Sequence, residues 1–290
     1  MKRNLFLFTG FGFLGLNLVK TLKGKFNINI FGKKVKYPFK IELPVNKINF
    51  VRCNFLNIRK ISNYNYNNST IVITTSPSIR KPFLKEYEKF IKFLITNKPE
   101  KIILISSVSV YGNKFPKVSI LNSYAKNCLK VEAICKKYIQ NLTILRAANI
   151  FGTMRVHPGL IEKFSLHHLN VKKFKLLKKD TVRSYIPIDE FCFILQSFLN
   201  LKLRKGTYNI SNSSYIFDVK KIIHLYETYY KKKIELKRVD AKPSILNSKI
   251  NPSKCLSSLK YPKTQSFLKE IAELDKFYKR FLIKKKICKL

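Results

Sequence analysis

Apolar residues along this chain fall into two alternating rhythms. Short continuous runs at Leu5 to Phe8, Phe26 to Phe31, Ile48 to Val51, Thr70 to Thr74, Lys101 to Ser106 and Leu142 to Leu145 have the length and composition of buried strands. Between them, Phe13 to Leu22, Phe83 to Thr96 and Ser123 to Ile139 carry apolar residues at helical spacing. Strand–helix–strand alternation predicts an α/β fold, a doubly wound parallel sheet covered on both faces. Beyond residue 151 the rhythm loosens. Helices are expected at Leu160 to Leu169, Phe191 to Leu199, Phe217 to Tyr230 and Phe267 to Phe281, with strands at Thr207 to Ile210 and Lys233 to Arg238. Residues 1–152 therefore read as one domain and 153–290 as a smaller α/β lobe over the sheet's carboxyl edge, with the chain crossing back between the two.

The first strand leads into Thr9 and then Gly10-x-Gly12-x-x-Gly15, after which the helical pattern begins. In a Rossmann-type fold this order makes a phosphate cradle. The first glycine permits the turn, the second lets the backbone approach a pyrophosphate, and the third lets helix and strand pack closely. The helix start supplies free N–H groups and a partial positive charge. The second strand runs into Gly32-Lys33-Lys34, and no Asp or Glu occurs before Glu42. An acidic residue there binds the ribose hydroxyls of NAD and a basic one suits the extra phosphate of NADP, so NADP is expected, with NAD as the alternative.

Charge changes the picture less than its size suggests. There are 58 Lys+Arg against 16 Asp+Glu, a formal +42, and nearly all of the excess is lysine spread along the chain. Such dispersal fits a compositional drift towards Lys, Asn and Ile better than a nucleic-acid interface, which concentrates charge on one face. The six cysteines show no C-x-x-C spacing, and with four histidines no metal site emerges. Dispersed cysteines in a chain this large read as reduced thiols in a cytoplasmic protein. Met1-Lys2-Arg3 and the uncharged run after it lack a small-residue cleavage site, so no signal peptide is expected. No apolar stretch reaches the ~20 residues of a membrane span.

With the strand end ISSVSVYG (105–112) and the helix start SYAKNCLKVE (123–132), the chain resembles the extended short-chain dehydrogenase/reductase family, in its nucleotide-sugar epimerase/dehydratase branch. ILRAANIFG, VRSYIPIDEF, GTYNIS and NPSKCLSSLKYPKTQSF match further segments of that branch in order, so the resemblance spans essentially the whole chain. The glycine turn is one residue shorter than the branch's usual form. The resemblance implies cofactor contacts from Gly10, Phe11, Gly12, Phe13, Leu14 and Gly15, from Gly32 and Lys33, from Asn54 in place of the usual aspartate, from Thr74 and Thr75, and from Tyr124. It implies Ser107 and Tyr124 as the catalytic pair on the reacting sugar oxygen. Asn149 and Arg183 match positions that bind the nucleotide diphosphate of the substrate, a nucleotide-linked sugar, and a homodimer is one expected assembly. A free tyrosine has a pKa near 10 and serves as a base at neutral pH only when something favours the phenolate.

In the family a lysine four residues after the tyrosine does this; here that position is Cys128. Lys126 and Lys130 flank it, but at about 100° per residue they point away from that face of the helix. Val108 and Ser109 stand where the branch's 4,6-dehydratases carry acidic residues, which argues against dehydration. Asp189 is expected to cap the helix that follows it. The expected activity is an NAD(P)-dependent nucleotide-sugar epimerase or reductase with an incomplete Ser-Tyr-Lys triad. The alternatives are a catalytically silent NAD(P)-binding member and, motivated only by charge, an RNA-binding protein on this fold.

Overall fold

The structure is a computed structural model, and it describes residues 3–9, 12–22, 24–32, 48–74, 81–155, 157–169, 175–200, 205–240, 245–256 and 266–287. The first half alternates as the apolar rhythm predicts: β1 (Arg3–Phe8), α1 (Phe13–Leu22), β2 (Phe26–Gly32), β3 (Ile48–Arg52), β4 (Thr70–Thr74), α2 (Lys81–Thr96), β5 (Lys101–Ser107), α3 (Ser123–Tyr138) and β6 (Leu142–Ala147). The second half contains β7 (Asn149–Phe151), α4 (Leu160–His168), β8 (Leu176–Leu177), β9 (Val182–Pro187), α5 (Ile188–Asn200), β10 (Gly206–Ile210), β11 (Ile216–Phe217), α6 (Val219–Tyr230), β12 (Arg238–Val239), β13 (Asn247–Ser248) and α7 (Phe267–Ile287).

Among the described residues, seven strands form one parallel sheet in the order β10-β6-β5-β4-β1-β2-β3. Strand alternation sends Leu5 and Leu7 to one face and Phe6 and Phe8 to the other. The first pair packs with Leu18, Val19 and Leu22 of α1 and with Phe191, Ile194 and Leu195 of α5. Phe6 and Phe8 pack with Tyr87, Phe90 and Leu94 of α2 and with Val131 and Cys135 of α3. Both faces are covered, which is why these strands read as unbroken apolar runs. The fold is a Rossmann-like doubly wound sheet, as expected.

The seventh strand, β10, comes from beyond residue 200 and pairs in parallel with β6 from Gly206↔Thr143 to Ile210↔Ala147. A third apolar cluster lies among α4, α6 and α7 and includes Phe164, Tyr226, Phe267 and Ile271. Strand β9 is the hub of a smaller sheet. It pairs in parallel with β7 and β13 and antiparallel with β11.

Three expectations change at element ends. The strand expected at Lys233 to Arg238 reduces to β12, which pairs with β8 alone. The helix expected from Phe217 starts at Val219, because the Asp218 side chain accepts the Lys221 N–H at 2.6 Å and caps it. Helix α5 begins at Ile188, so Asp189 lies inside its first turn and favours the helix dipole instead of capping it. Cys53, Cys128, Cys135 and Cys192 are buried thiols outside any disulfide. Among the described residues no helix is long and apolar enough to cross a membrane, and no cluster of metal-ligating side chains forms.

Candidate functional site

The carboxyl ends of β1, β2, β4 and β5 lie side by side at one sheet edge, the edge at which open parallel sheets bind ligands. Gly10, Phe11, Lys33 and Thr75 lie outside the described residues. The rest of the predicted cofactor set gathers along this edge. Gly12 enters α1, and the Leu16 N–H donates to its carbonyl at 3.0 Å. A Cβ added at Gly12 would have nothing within 4 Å, so the backbone there faces open space. Phe13 and Leu14 are half-buried in the first turn, which carries no acidic residue to compete for an anion, and Gly15 is buried. Gly32 closes β2, and its carbonyl accepts the Cys53 N–H at 3.1 Å, which sets Asn54 beside that strand end. Thr74 closes β4, with its hydroxyl 3.4 Å from the Phe8 carbonyl. Open backbone, free helix N–H groups and converging strand ends fit a dinucleotide.

Ser107 ends β5 and is buried. Its Oγ lies 3.1 Å from the Ser109 hydroxyl and accepts the Ser109 N–H at 3.2 Å, capping a 3₁₀ turn over Val108–Tyr111. The Asn122 side chain accepts the Ala125 N–H at 2.8 Å and so starts α3 one residue before Tyr124. These two caps bring three side chains together, because the Tyr124 hydroxyl interacts with both Ser107 and Cys128. Burial and the adjacent Cys128 thiol push the Tyr124 phenol up to about 12, while its hydrogen bond with Ser107 works in the other direction. No cation among the described residues lowers it. Lys126 and Lys130 are exposed, as the helical angle requires, and Cys128 is 1% exposed on the inner face.

One turn beyond Cys128, Glu132 is buried on the same face of α3. Its carboxylate accepts from Arg146 Nε at 3.0 Å and Nη2 at 2.7 Å, and from the Ser106 hydroxyl at 2.7 Å. Arg146 Nη1 donates to the Tyr111 hydroxyl at 2.9 Å, which in turn donates to Asn209 at 2.7 Å. This chain of bonds ties α3, β5, β6, β10 and the 3₁₀ turn into one unit beneath the Ser107–Tyr124 pair.

Asn149 emerges two residues beyond Ala147, the register partner of Ser107. Asn149, Arg155, Arg183 and Tyr185 line a common cavity of about 190 Å³. Asn149 is exposed, with its amide donating to the Ser184 carbonyl at 3.0 Å. Arg183 donates to the carbonyls of Val182, Leu246 and Ile245 at 2.9, 3.3 and 2.5 Å. Burial lowers its pKa from the ordinary guanidinium value, and Tyr185 opposes that shift. Arg155 was not singled out in the sequence. Its guanidinium is 3.5 Å from the fully buried Glu162 and stacks 5.2 Å from the Phe13 ring, which joins this cavity to the start of α1. A signal existed: arginines are few in a chain this rich in lysine, and Arg146, Arg155 and Arg183 are three of them.

No protein-family profile matches the chain, and no curated protein matches by sequence. Solved structures do match. A dTDP-glucose 4,6-dehydratase from Bacillus anthracis, in complex with NAD, superposes with a TM-score of 0.80 at 17% identity, covering 96% of this chain and 97% of that one. A UDP-N-acetylglucosamine 4-epimerase from Methanobrevibacter ruminantium, bound to UDP-N-acetylmuramic acid, gives 0.78 at 17% over 97% and 99%. The Bordetella bronchiseptica enzyme WbmG, in complex with NAD and UDP, gives 0.79 at 16% over 97% and 96%. The chain therefore shares its fold with solved nucleotide-sugar dehydratases and epimerases of the extended short-chain dehydrogenase/reductase type.

Proposed function

We propose that this protein is an NAD(P)-dependent oxidoreductase that acts on a nucleotide-linked sugar and works as a keto-group reductase in preference to an epimerase. The observation that carries this reading is the meeting of Ser107, Tyr124 and Cys128 with no cation among the described residues beside the phenol. Raised to about 12 by burial, the Tyr124 phenol stays protonated at pH 7. A protonated phenol is the form that donates to the oxygen of a carbonyl undergoing reduction. The oxidative first step of an epimerase instead starts from the phenolate. Ser107, whose hydroxyl lies beside the phenol, holds the same sugar oxygen. Val108 is buried and Ser109 is committed to Ser107, so neither supplies the acid that dehydration requires.

A bound nicotinamide supplies the hydride chemistry. The turn at Gly12 to Gly15, Gly32, Asn54 and Thr74 would hold the cofactor, together with Gly10, Phe11, Lys33 and Thr75. The lysines after Gly32 favour NADP, whereas two of the solved structures named above hold NAD. Asn149 and Arg183, joined by Arg155, would take the nucleotide diphosphate in their cavity, since a planar guanidinium suits phosphate oxygens. The missing cation also favours a second reading, a member that binds NAD(P) without turnover. Oxidation of NADPH in the presence of 4-keto nucleotide sugars separates the two. Turnover that falls at least ~100-fold in Tyr124→Phe supports the reductase. Tight NADPH binding without turnover of any keto or hydroxy sugar nucleotide supports the silent reading.

A further inference from the structure

The large hydrophobic side chains left exposed among the described residues are Val118, Ile120 and Leu121, at 50%, 52% and 39%. All belong to the loop that joins the 3₁₀ turn to α3. Its base is fixed. The Lys114 and Ser119 N–H groups donate to the Tyr111 and Val110 carbonyls at 2.9 Å, and Asn113 accepts the N–H groups of Leu246 and Asn247 at 2.8 and 2.9 Å. The loop thus presents an aliphatic tip on a rigid stem. Along the chain on either side of the tip the charge has one sign. No carboxylate occurs between Glu100 and Glu132, while Lys114, Lys117 and Lys126 are exposed. The segment that Asn113 grips, residues 245–256, adds two more lysines and no acid.

We infer that this loop docks on an anionic lipid bilayer, with Val118, Ile120 and Leu121 entering the headgroup boundary and the lysines meeting the lipid phosphates. A bilayer answers both halves of the patch, because hydrocarbon accepts aliphatic side chains and anionic headgroups accept ammonium groups. A nucleic acid would meet no aromatic platform on this tip. A second copy of the chain would bring the same lysines and the same +42. The inference concerns surface attachment, not a span, and does not depend on the proposed reaction.

The chain contains no tryptophan, so Ile120→Trp provides a single clean reporter. With vesicles of phosphatidylcholine containing phosphatidylglycerol, its emission should shift to the blue and be quenched by brominated acyl chains. Vesicles of phosphatidylcholine alone should leave it unchanged. A control, Gln140→Trp, sits at the opposite edge of the sheet, in the turn before β6, and should stay unquenched. In co-sedimentation, Val118→Asp/Ile120→Asp should lose at least ~tenfold in partitioning and Lys117→Ala about fivefold, the loss set by one lysine near an anionic surface. Circular dichroism should show both variants folded. Three results would overturn the inference: no sedimentation with anionic vesicles, binding that the aspartates leave intact, or aspartates that convert a dimer to a monomer without changing vesicle binding.

Discussion

Tyr124 and Cys128 place the two groups on which the proposed reaction turns within one turn of helix. The thiol neither ionises the phenol nor offers it a positive field, and burial of the pair pushes the phenol up to about 12. Cys128→Lys would place an ammonium where the thiol is. An opposite charge at that distance lowers a pKa by about one to three units, so the alkaline limb of the pH–rate profile should move down by a similar amount. Oxidation of a hydroxy sugar nucleotide should gain more than reduction of the keto form, as measured by initial rates in both directions. An unmoved profile would mean that the phenol's ionisation does not govern the rate. Arg146 and Glu132 make a second residue-scale test. Glu132→Gln leaves a buried guanidinium without its counter-charge and should cost about 3–5 kcal/mol in urea unfolding. Replacing both, as Glu132→Leu with Arg146→Met, should recover much of that loss. The sequence exposed the Ser107–Tyr124–Cys128 spacing because one helix carries two of the three. It did not expose the Arg146–Glu132 pair, whose members meet across β6 and α3 and share no local pattern.

Among the elements, α3 matters most, because it carries Tyr124, Cys128 and Glu132 on one face. Its start depends on Asn122, whose side chain accepts the Ala125 N–H. Asn122→Ala should destabilise the fold by about 1 kcal/mol, read from the denaturant midpoint at constant slope. Because the phenol lies in that first turn, the same change should lower kcat in the proposed reduction more than it weakens cofactor binding. Elements of the first half were legible almost to the residue, since strands buried on both faces leave continuous apolar runs. In the second half, β8, β11, β12 and β13 span two residues each and are defined by partners far along the chain. Periodicity has nothing to act on there. The same reason hid the cavity around Arg183, whose hydrogen-bond partners at Ile245 and Leu246 are more than sixty residues away.

At the scale of the whole molecule, four of the sixteen acidic residues meet at one place. Glu270 at the start of α7 meets the fields of Glu273, Asp189 and Glu190, the last two at the start of α5. Burial first, and then these like charges, push Glu270 up to about 8. A carboxyl raised in the folded state holds its proton more tightly there than in the unfolded chain. Its contribution is therefore complete below the ordinary carboxylate range and is lost as pH rises through about 8. Glu270→Gln should match the wild type in melting temperature near pH 4 and exceed it near pH 9. Equal melting temperatures at both pH values would show that Glu270 ionises freely.

The place of β10 in the sheet sets an order of events during synthesis. As the chain leaves the ribosome, six parallel strands are complete by Ala147, yet β6 keeps an open edge until Gly206 to Ile210 emerge. An unpaired strand of alternating backbone donors and acceptors invites pairing with a neighbouring nascent chain. The interval between those two points is the stretch in which a chaperone, or a slow run of codons, would most influence the yield of folded protein.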